Sequence, residues 1–222
     1  MTPIIKICGL KDTEALAAAA ESGATHAGFN FFARSPRYVD LHTAARLAET
    51  APMSLVRVAL LVDPTDAEAE AAVAALQAQA IQLHGRETPA RAAALRTLTG
   101  LPVIKAVPVA ARADIDAAQH FTAADHILFD AKPPAGADLP GGNGVAFDWS
   151  LLAGLALPRP WILSGGLDPA NVAEAIRATG APGVDVSSGV ETSPGRKSPE
   201  RIAAFVAAAL SAYGSLTAEP VA

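Results

Sequence analysis

A chain of 222 residues, 51% hydrophobic and 18% charged with a formal net charge of −5, has a globular balance and enough length for one sizeable core. It lacks the basic cluster that a nucleic-acid partner requires, and no apolar run reaches membrane-spanning length: the stretch Ala15–Ala20 is cut off by Glu21 and Ser22. A single cysteine, Cys8, excludes an internal disulfide and a cysteine-based metal cluster, and a start that runs into a strand without a charged-then-apolar leader reads as cytosolic.

Short apolar runs alternate with Ala-rich helical segments along the whole chain. Residues 4–8 read as a strand and 13–21 as a helix; 26–31 is strand-like and 41–50 helical. A strand over 55–62 leads through Asp63-Pro64-Thr65 into a helix ending near Gln79. The strand 81–84 ends in Gly85 and is followed by a helix over 89–98. Residues 103–107 are strand, 112–121 helix and 126–129 strand, ending in Asp130. The segment 132–144 is a long Pro- and Gly-rich loop, suited to a lid. A short helix over 148–152, a strand over 161–163, a helix over 171–179, a strand over 184–186 and a helix over 199–213 complete the series. Residues 215–222 read as a disordered tail. Asp12-Thr13, Asp63-Pro64, Asp168-Pro169 and Ser198-Pro199 are the expected helix starts.

About eight such units, roughly 25 residues each, call for a parallel sheet covered by helices. The fold expected is a single (β/α)8 barrel over residues 1–214. A doubly wound sheet is the alternative, but it would favour a G-x-G-x-x-G turn after the first strand, and Ile7-Cys8-Gly9-Leu10 is not one.

In a barrel, chemistry sits at the C-terminal ends of the strands. The richest stretch is Trp161–Gly189. There two consecutive strands end in Ser164-Gly165-Gly166 and Ser187-Ser188-Gly189, and exposed backbone N–H groups make such turns attractive to phosphate. Cys8 closes the first strand before Gly9. Either it is a small buried hydrophobe, or Lys6 and Lys11 favour its thiolate by lowering its pKa from about 8.5 by a unit or two. Asp130 closes an apolar strand and is either a structural pair for Lys132 or a general acid. His84 and Asp185 stand at or near strand ends, each with a structural alternative. Arg37, in Ser35-Pro36-Arg37-Tyr38, offers a fork of donors to a carboxylate, or is a solvated loop arginine. Lys105 raises a lower-ranked possibility of Schiff-base chemistry.

Lys6-Ile7-Cys8-Gly9-Leu10, Gly28-Phe29, Ser35-Pro36-Arg37-Tyr38, Gln82-Leu83-His84-Gly85, Asp130, Gly141-Gly142-Asn143-Gly144 with Phe147-Asp148-Trp149, Ser164-Gly165-Gly166-Leu167 with Asn171-Val172, and Val184–Glu191 with Gly195 and Lys197 occur in that order. Each fragment is weak and the ordered set is specific. Over residues 4 to about 206 it resembles the phosphoribosylanthranilate isomerases of tryptophan biosynthesis.

The resemblance implies a (β/α)8 barrel and an Amadori rearrangement of N-(5-phosphoribosyl)anthranilate, without metal or organic cofactor. It implies Cys8 as general base, Asp130 as general acid and Arg37 on the anthranilate carboxylate. Gly166, Ser188 and Gly189 would hold phosphate, with His84 and Asp185 near the substrate. The partner expected is that small molecule, not nucleic acid or membrane. Oligomeric state is unreadable, with a monomer slightly favoured. Asn30, Ser198, Arg57 and Asp63 depart from the family pattern. Two related barrels fit less well. The histidine-pathway Amadori isomerase has an aspartate where Cys8 stands, and indole-glycerol-phosphate synthase needs a Lys and Glu pair with no evident place here. A non-catalytic phosphate-binding scaffold would have lost the acid or the base.

Overall fold

The computed structural model of the chain describes residues 2–132 and 147–218. Eight parallel strands close on themselves: β1 Ile4–Cys8, β2 His26–Asn30, β3 Val56–Leu61, β4 Ala80–Leu83, β5 Val103–Val109, β6 His126–Ala131, β7 Trp161–Leu163 and β8 Gly183–Val186. Closure is made by β1 on β8, from Ile4↔Gly183 to Ile7↔Val186, so the sheet has no open edge and the doubly wound alternative falls. The joint between β7 and β8 is the thinnest, with Leu163↔Val184 its one register pair.

Around the barrel run α1 Thr13–Glu21, α2 Leu41–Thr50, α3 Asp66–Leu76, α4 Pro89–Thr99, α5 Arg112–Ala118, α6 Val172–Thr179 and α7 Pro199–Ala218. Between β6 and β7 the described chain has only a 3-10 turn, Trp149–Leu152. Helix starts follow local chemistry. Asp12 accepts from the Ala15 N–H at 2.8 Å, and Ser198 from the Arg201 N–H at 3.2 Å. Asp63 is not a cap: Thr65 and Glu68 form the capping box of α3, while Asp63 turns the chain at φ 47° and accepts from the Arg86 N–H. The last helix passes Gly214 and continues to Ala218, and residues 219–222 of the expected tail lie outside the described residues. The expected lid segment falls mostly in 133–146, outside the described residues.

The alternation within each strand decides which residues face where. Ile5, Ile7, Ala59, Ile81, Ile127, Leu163 and Val184 face the helices and form the outer core. Val58, Ala80, Ile104, Ala106, Leu128 and Ile162 face inward and form a smaller apolar plug. By the same alternation Lys6, Cys8, Gln82, Asp130, Ser164 and Asp185 turn inward, and all but Cys8 are polar. Among the described residues no helix is long and apolar enough to cross a membrane.

After β8 the chain makes a hairpin that the sequence reading did not anticipate: β9 Glu191–Ser193 pairs antiparallel with β10 Arg196–Lys197. Its turn requires Gly195, at φ 78°, where a Cβ would stand 2.3 Å from the Pro36 carbonyl oxygen. The hairpin therefore lies directly on the loop that follows β2.

Candidate active site

Cys8 ends β1 and is 5% exposed. Opposite it, β2 carries Gly28, where a Cβ would lie 3.0 Å from both Cys8 Sγ and Lys6 Nζ. The thiol and the ammonium thus share the space that the missing side chain leaves. Lys6 is fully buried and donates to Asp185 Oδ1 at 2.7 Å; Ser164 Oγ donates to Asp185 Oδ2 at 3.2 Å. Burial would lower the Lys6 pKa, but Asp185 and Cys8 together outweigh it and the net movement is upward, so Lys6 is an ammonium. The expected lowering of the thiol by Lys6 is present but does not set the net direction. Burial pushes the Cys8 thiol up, Lys6 and Lys197 pull it down without overcoming that, and Asp185 adds to the rise. Lys11, the other expected neighbour, points elsewhere, to the Pro36 carbonyl oxygen at 3.3 Å. Asp185 is likewise engaged inside the barrel rather than standing open to the mouth.

Asp130, also 5% exposed, lies on β6. Its Oδ1 accepts from its neighbour's N–H, on Ala131, at 2.9 Å, and its Oδ2 lies 3.2 Å from His84 Nε2. Gln82 Nε2 is 2.9 Å from His84 Nδ1. With the Gln82 amide donating, His84 carries its proton on Nε2 and offers it to Asp130. The Lys132 pair considered for Asp130 is not the one formed. His84 therefore supports the proposed acid directly.

The two Gly-rich turns pack against each other. At Gly189 a Cβ would fall 1.9 Å from the Leu167 carbonyl oxygen, so the turn after β8 packs against the turn after β7. Gly165 and Gly166 both adopt positive φ. Among the described residues the backbone N–H groups of Gly165 and Gly166 have no acceptor, while the Gly166 carbonyl is held by Asn171 Nδ2 at 2.9 Å. The cradle adjoins both reactive groups. A Cβ on Gly165 would be 3.1 Å from Asp130 Oδ1, and Ser187 Oγ donates to the Cys8 carbonyl at 3.2 Å.

Arg37 is buried, not a solvated loop arginine. Its Nε and Nη2 donate to Glu191 Oε1 and Oε2 at 2.7 and 2.9 Å, a bidentate pair that fixes the guanidinium plane. Lys197 Nζ donates to the same carboxylate at 2.9 Å and to the Ser187 carbonyl at 2.9 Å. Burial works to raise the Glu191 pKa, but Arg37 and Lys197 more than offset it and hold the carboxyl below its usual range. Asn30, a departure from the family pattern, organises this loop: its Oδ1 accepts from the Phe32 N–H and its Nδ2 donates to Ser35 Oγ. Lys105 faces outward between Ile104 and Ala106, and donates to Glu87 at 2.6 Å and to the Gly85 carbonyl at 2.8 Å. It clamps the loop after β4 from behind, which removes it as a Schiff-base candidate. Among the described residues no group of three or more His, Cys, Asp or Glu side chains is placed to hold a metal ion.

The family model described as N-(5'-phosphoribosyl)anthranilate (PRA) isomerase matches residues 5–208. The chain belongs to this isomerase family. A relative of that name from Paracoccus denitrificans is 55% identical over 210 residues, covering 94% of this chain and 98% of its own. Another, from Mesorhizobium japonicum, is 54% identical over 202 residues, covering 90% and 92%. The crystal structure of phosphoribosyl anthranilate isomerase from Thermotoga maritima superposes with a TM-score of 0.82 at 35% identity, covering 94% of this chain and 99% of that one. A second phosphoribosyl anthranilate isomerase structure, with a TM-score of 0.79 at 33% identity and coverage of 94% and 99%, holds reduced 1-(o-carboxyphenylamino)-1-deoxyribulose 5-phosphate. Three further residues that hold the candidate site residues in place were not picked out from the sequence: Gln82, Glu191 and Lys197. Polar residues at both ends of a short Gly-turned segment were the signal for Glu191 and Lys197.

Proposed function

We propose that this isomerase runs its Amadori rearrangement with Asp130 as general acid and Cys8 as general base. Asp130 protonates the furanose ring oxygen of N-(5'-phosphoribosyl)anthranilate, and the ring opens to an iminium. Cys8 takes the proton from C2, giving an enolamine that tautomerises to the ketone of 1-(2-carboxyphenylamino)-1-deoxyribulose 5-phosphate. Gly166, Ser188 and Gly189 hold the phosphate, Arg37 meets the carboxylate, and His84 keeps Asp130 oriented. Fixing both substrate ends places the reacting carbons between acid and base. The observation that carries this reading is that the Gly- and Ser-rich turns adjoin both residues, Gly165 lying beside the Asp130 carboxylate and Ser187 Oγ donating to the main-chain carbonyl of Cys8.

A thiol raised by burial is mostly protonated at neutral pH, so the reaction should accelerate as pH rises into the alkaline range. A base that works as a free thiolate requires a reducing compartment, which supports a cytoplasmic location. The test is steady-state turnover of Cys8→Ala and Asp130→Asn, with folding followed by circular dichroism. Each variant should stay folded and lose roughly 10²–10⁴-fold in kcat. A variant that keeps near-normal kcat removes its residue from the assignment.

A further inference from the structure

We propose that Lys6 is a positioning residue for the reactive thiol: its buried ammonium, fixed by Asp185, supplies the positive charge against which Cys8 ionises, and Asp185 acts through Lys6 rather than on the substrate. This rests on Cys8 being the base. The geometry is specific. Lys6 is fully buried between an apolar plug below and Cys8 above, a costly place for an ammonium unless its charge is used. Gly28 keeps the space between Nζ and Sγ empty, since a Cβ there would stand 3.0 Å from each. Asp185 takes Nζ at 2.7 Å and is itself held by Ser164 at 3.2 Å, so the ammonium has a fixed address.

The charged and titratable groups that act on the thiol are Lys6 on its own strand, Asp185 on β8 and Lys197 on β10, the last partly neutralised by Glu191. His26, the register partner of Lys6 on β2, is neutral, its pKa held down by burial, Lys6 and His126 of β6. Of these, Lys6 is the leading cationic influence on Cys8. A purely structural Lys6–Asp185 pair would make both members equivalent; the arrangement here makes them opposed. Removing Asp185's charge takes away the carboxylate that opposes the thiolate and leaves the thiolate as the anion that pairs with Lys6. Removing Lys6 leaves the thiol facing a carboxylate.

Because Cys8 is the only cysteine in the chain, its ionisation can be read alone from the pH dependence of alkylation by iodoacetamide. The variants are Asp185→Asn, Lys6→Met, Lys6→Arg, and the charge-neutral double variant Lys6→Met/Asp185→Asn, which keeps the measurement possible should Lys6→Met fail to fold. Asp185→Asn should react about tenfold faster than wild type at pH 7, the equivalent of one pH unit in the inflection. The double variant should react about tenfold or more slowly than Asp185→Asn, and Lys6→Arg should stay near wild type. The pH profile of kcat/KM should move with the alkylation inflection. If Asp185→Asn and the double variant react alike while Cys8→Ala is inactive, the proposal for Lys6 is overturned and the base assignment stands. If alkylation moves as expected while kcat/KM does not follow, the charge arrangement is supported and Cys8 loses its role as base.

Discussion

Arg37 and Gly28 show how much of this site is decided one side chain at a time. Arg37→Ala should raise KM roughly 10–100-fold with a smaller change in kcat, as expected when a charged hydrogen bond to the ground state is lost. Glu191→Gln keeps the guanidinium but loosens its plane, so KM should rise in the same direction by less; initial-rate kinetics on both variants check the order. Gly28→Ala puts a methyl 3.0 Å from Sγ and Nζ. It would also stand 3.2 Å from the Cys8 Cα, so β1 must give by a few tenths of an ångström, and kcat should fall roughly tenfold as the thiol is displaced. At this scale the sequence is half legible. Cys8 and Asp130 stand out because each closes an apolar strand where packing has no use for it. The partner of Asp185 does not stand out, since Lys6 lies 179 residues away in sequence and only barrel closure brings the two together. The thiol's upward movement was misjudged for the same reason: neighbours along the chain are visible, and burial is not.

Among the elements, the turns after β7 and β8 behave as one unit. Gly189→Ala would drive a methyl into the Leu167 carbonyl at 1.9 Å, and neither partner is a flexible side chain. It should cost about 3 kcal/mol or more of stability, visible as a shifted urea midpoint. Inorganic phosphate should compete with substrate in the native enzyme, and its inhibition constant should weaken in Gly166→Ala, where φ is 66° and an L side chain is strained. Competition that is unchanged in that variant would put the anion elsewhere. Strands and helices were readable from alternation and caps. The hairpin of β9 and β10 was not, because Glu191–Ser193 and Arg196–Lys197 are polar throughout and form no apolar run. Asp63 misled as a cap because Asp-Pro is a common helix start, whereas here the residue bends backward to meet the loop after β4.

For the molecule as a whole, acid is the weak side. Burial pushes the His26 pKa down to about 4, with Lys6 adding to the effect. The unfolded chain therefore binds a proton that the folded chain refuses, so stability is full above pH 6.5 and drains away as pH falls toward 4. The loss is about 2 kcal/mol once the partial exposure of His26 is allowed for. Glu191, held low by Arg37 and Lys197, and His126, lowered by burial, act with the same sign. Urea unfolding measured from pH 7 to pH 4 should show this slope, and His26→Gln should flatten it. The global fold was the most legible level. Eight repeats of strand and helix leave few topologies, and strands covered on both faces read as continuous apolar runs. The polar interior was hidden, because no local pattern says which buried charge meets which.

The thin joint between β7 and β8 has a consequence for how ligand and architecture depend on each other. With one register pair between these staves, the bond of Ser164 to Asp185 and the close approach of Gly189 to the Leu167 carbonyl add to what holds the barrel shut there. A phosphate bridging both turns would rivet that gap from outside. Deuterium uptake by the amides of β7 and β8 should then slow more than elsewhere when anion is added, making substrate a part of the wall that encloses it.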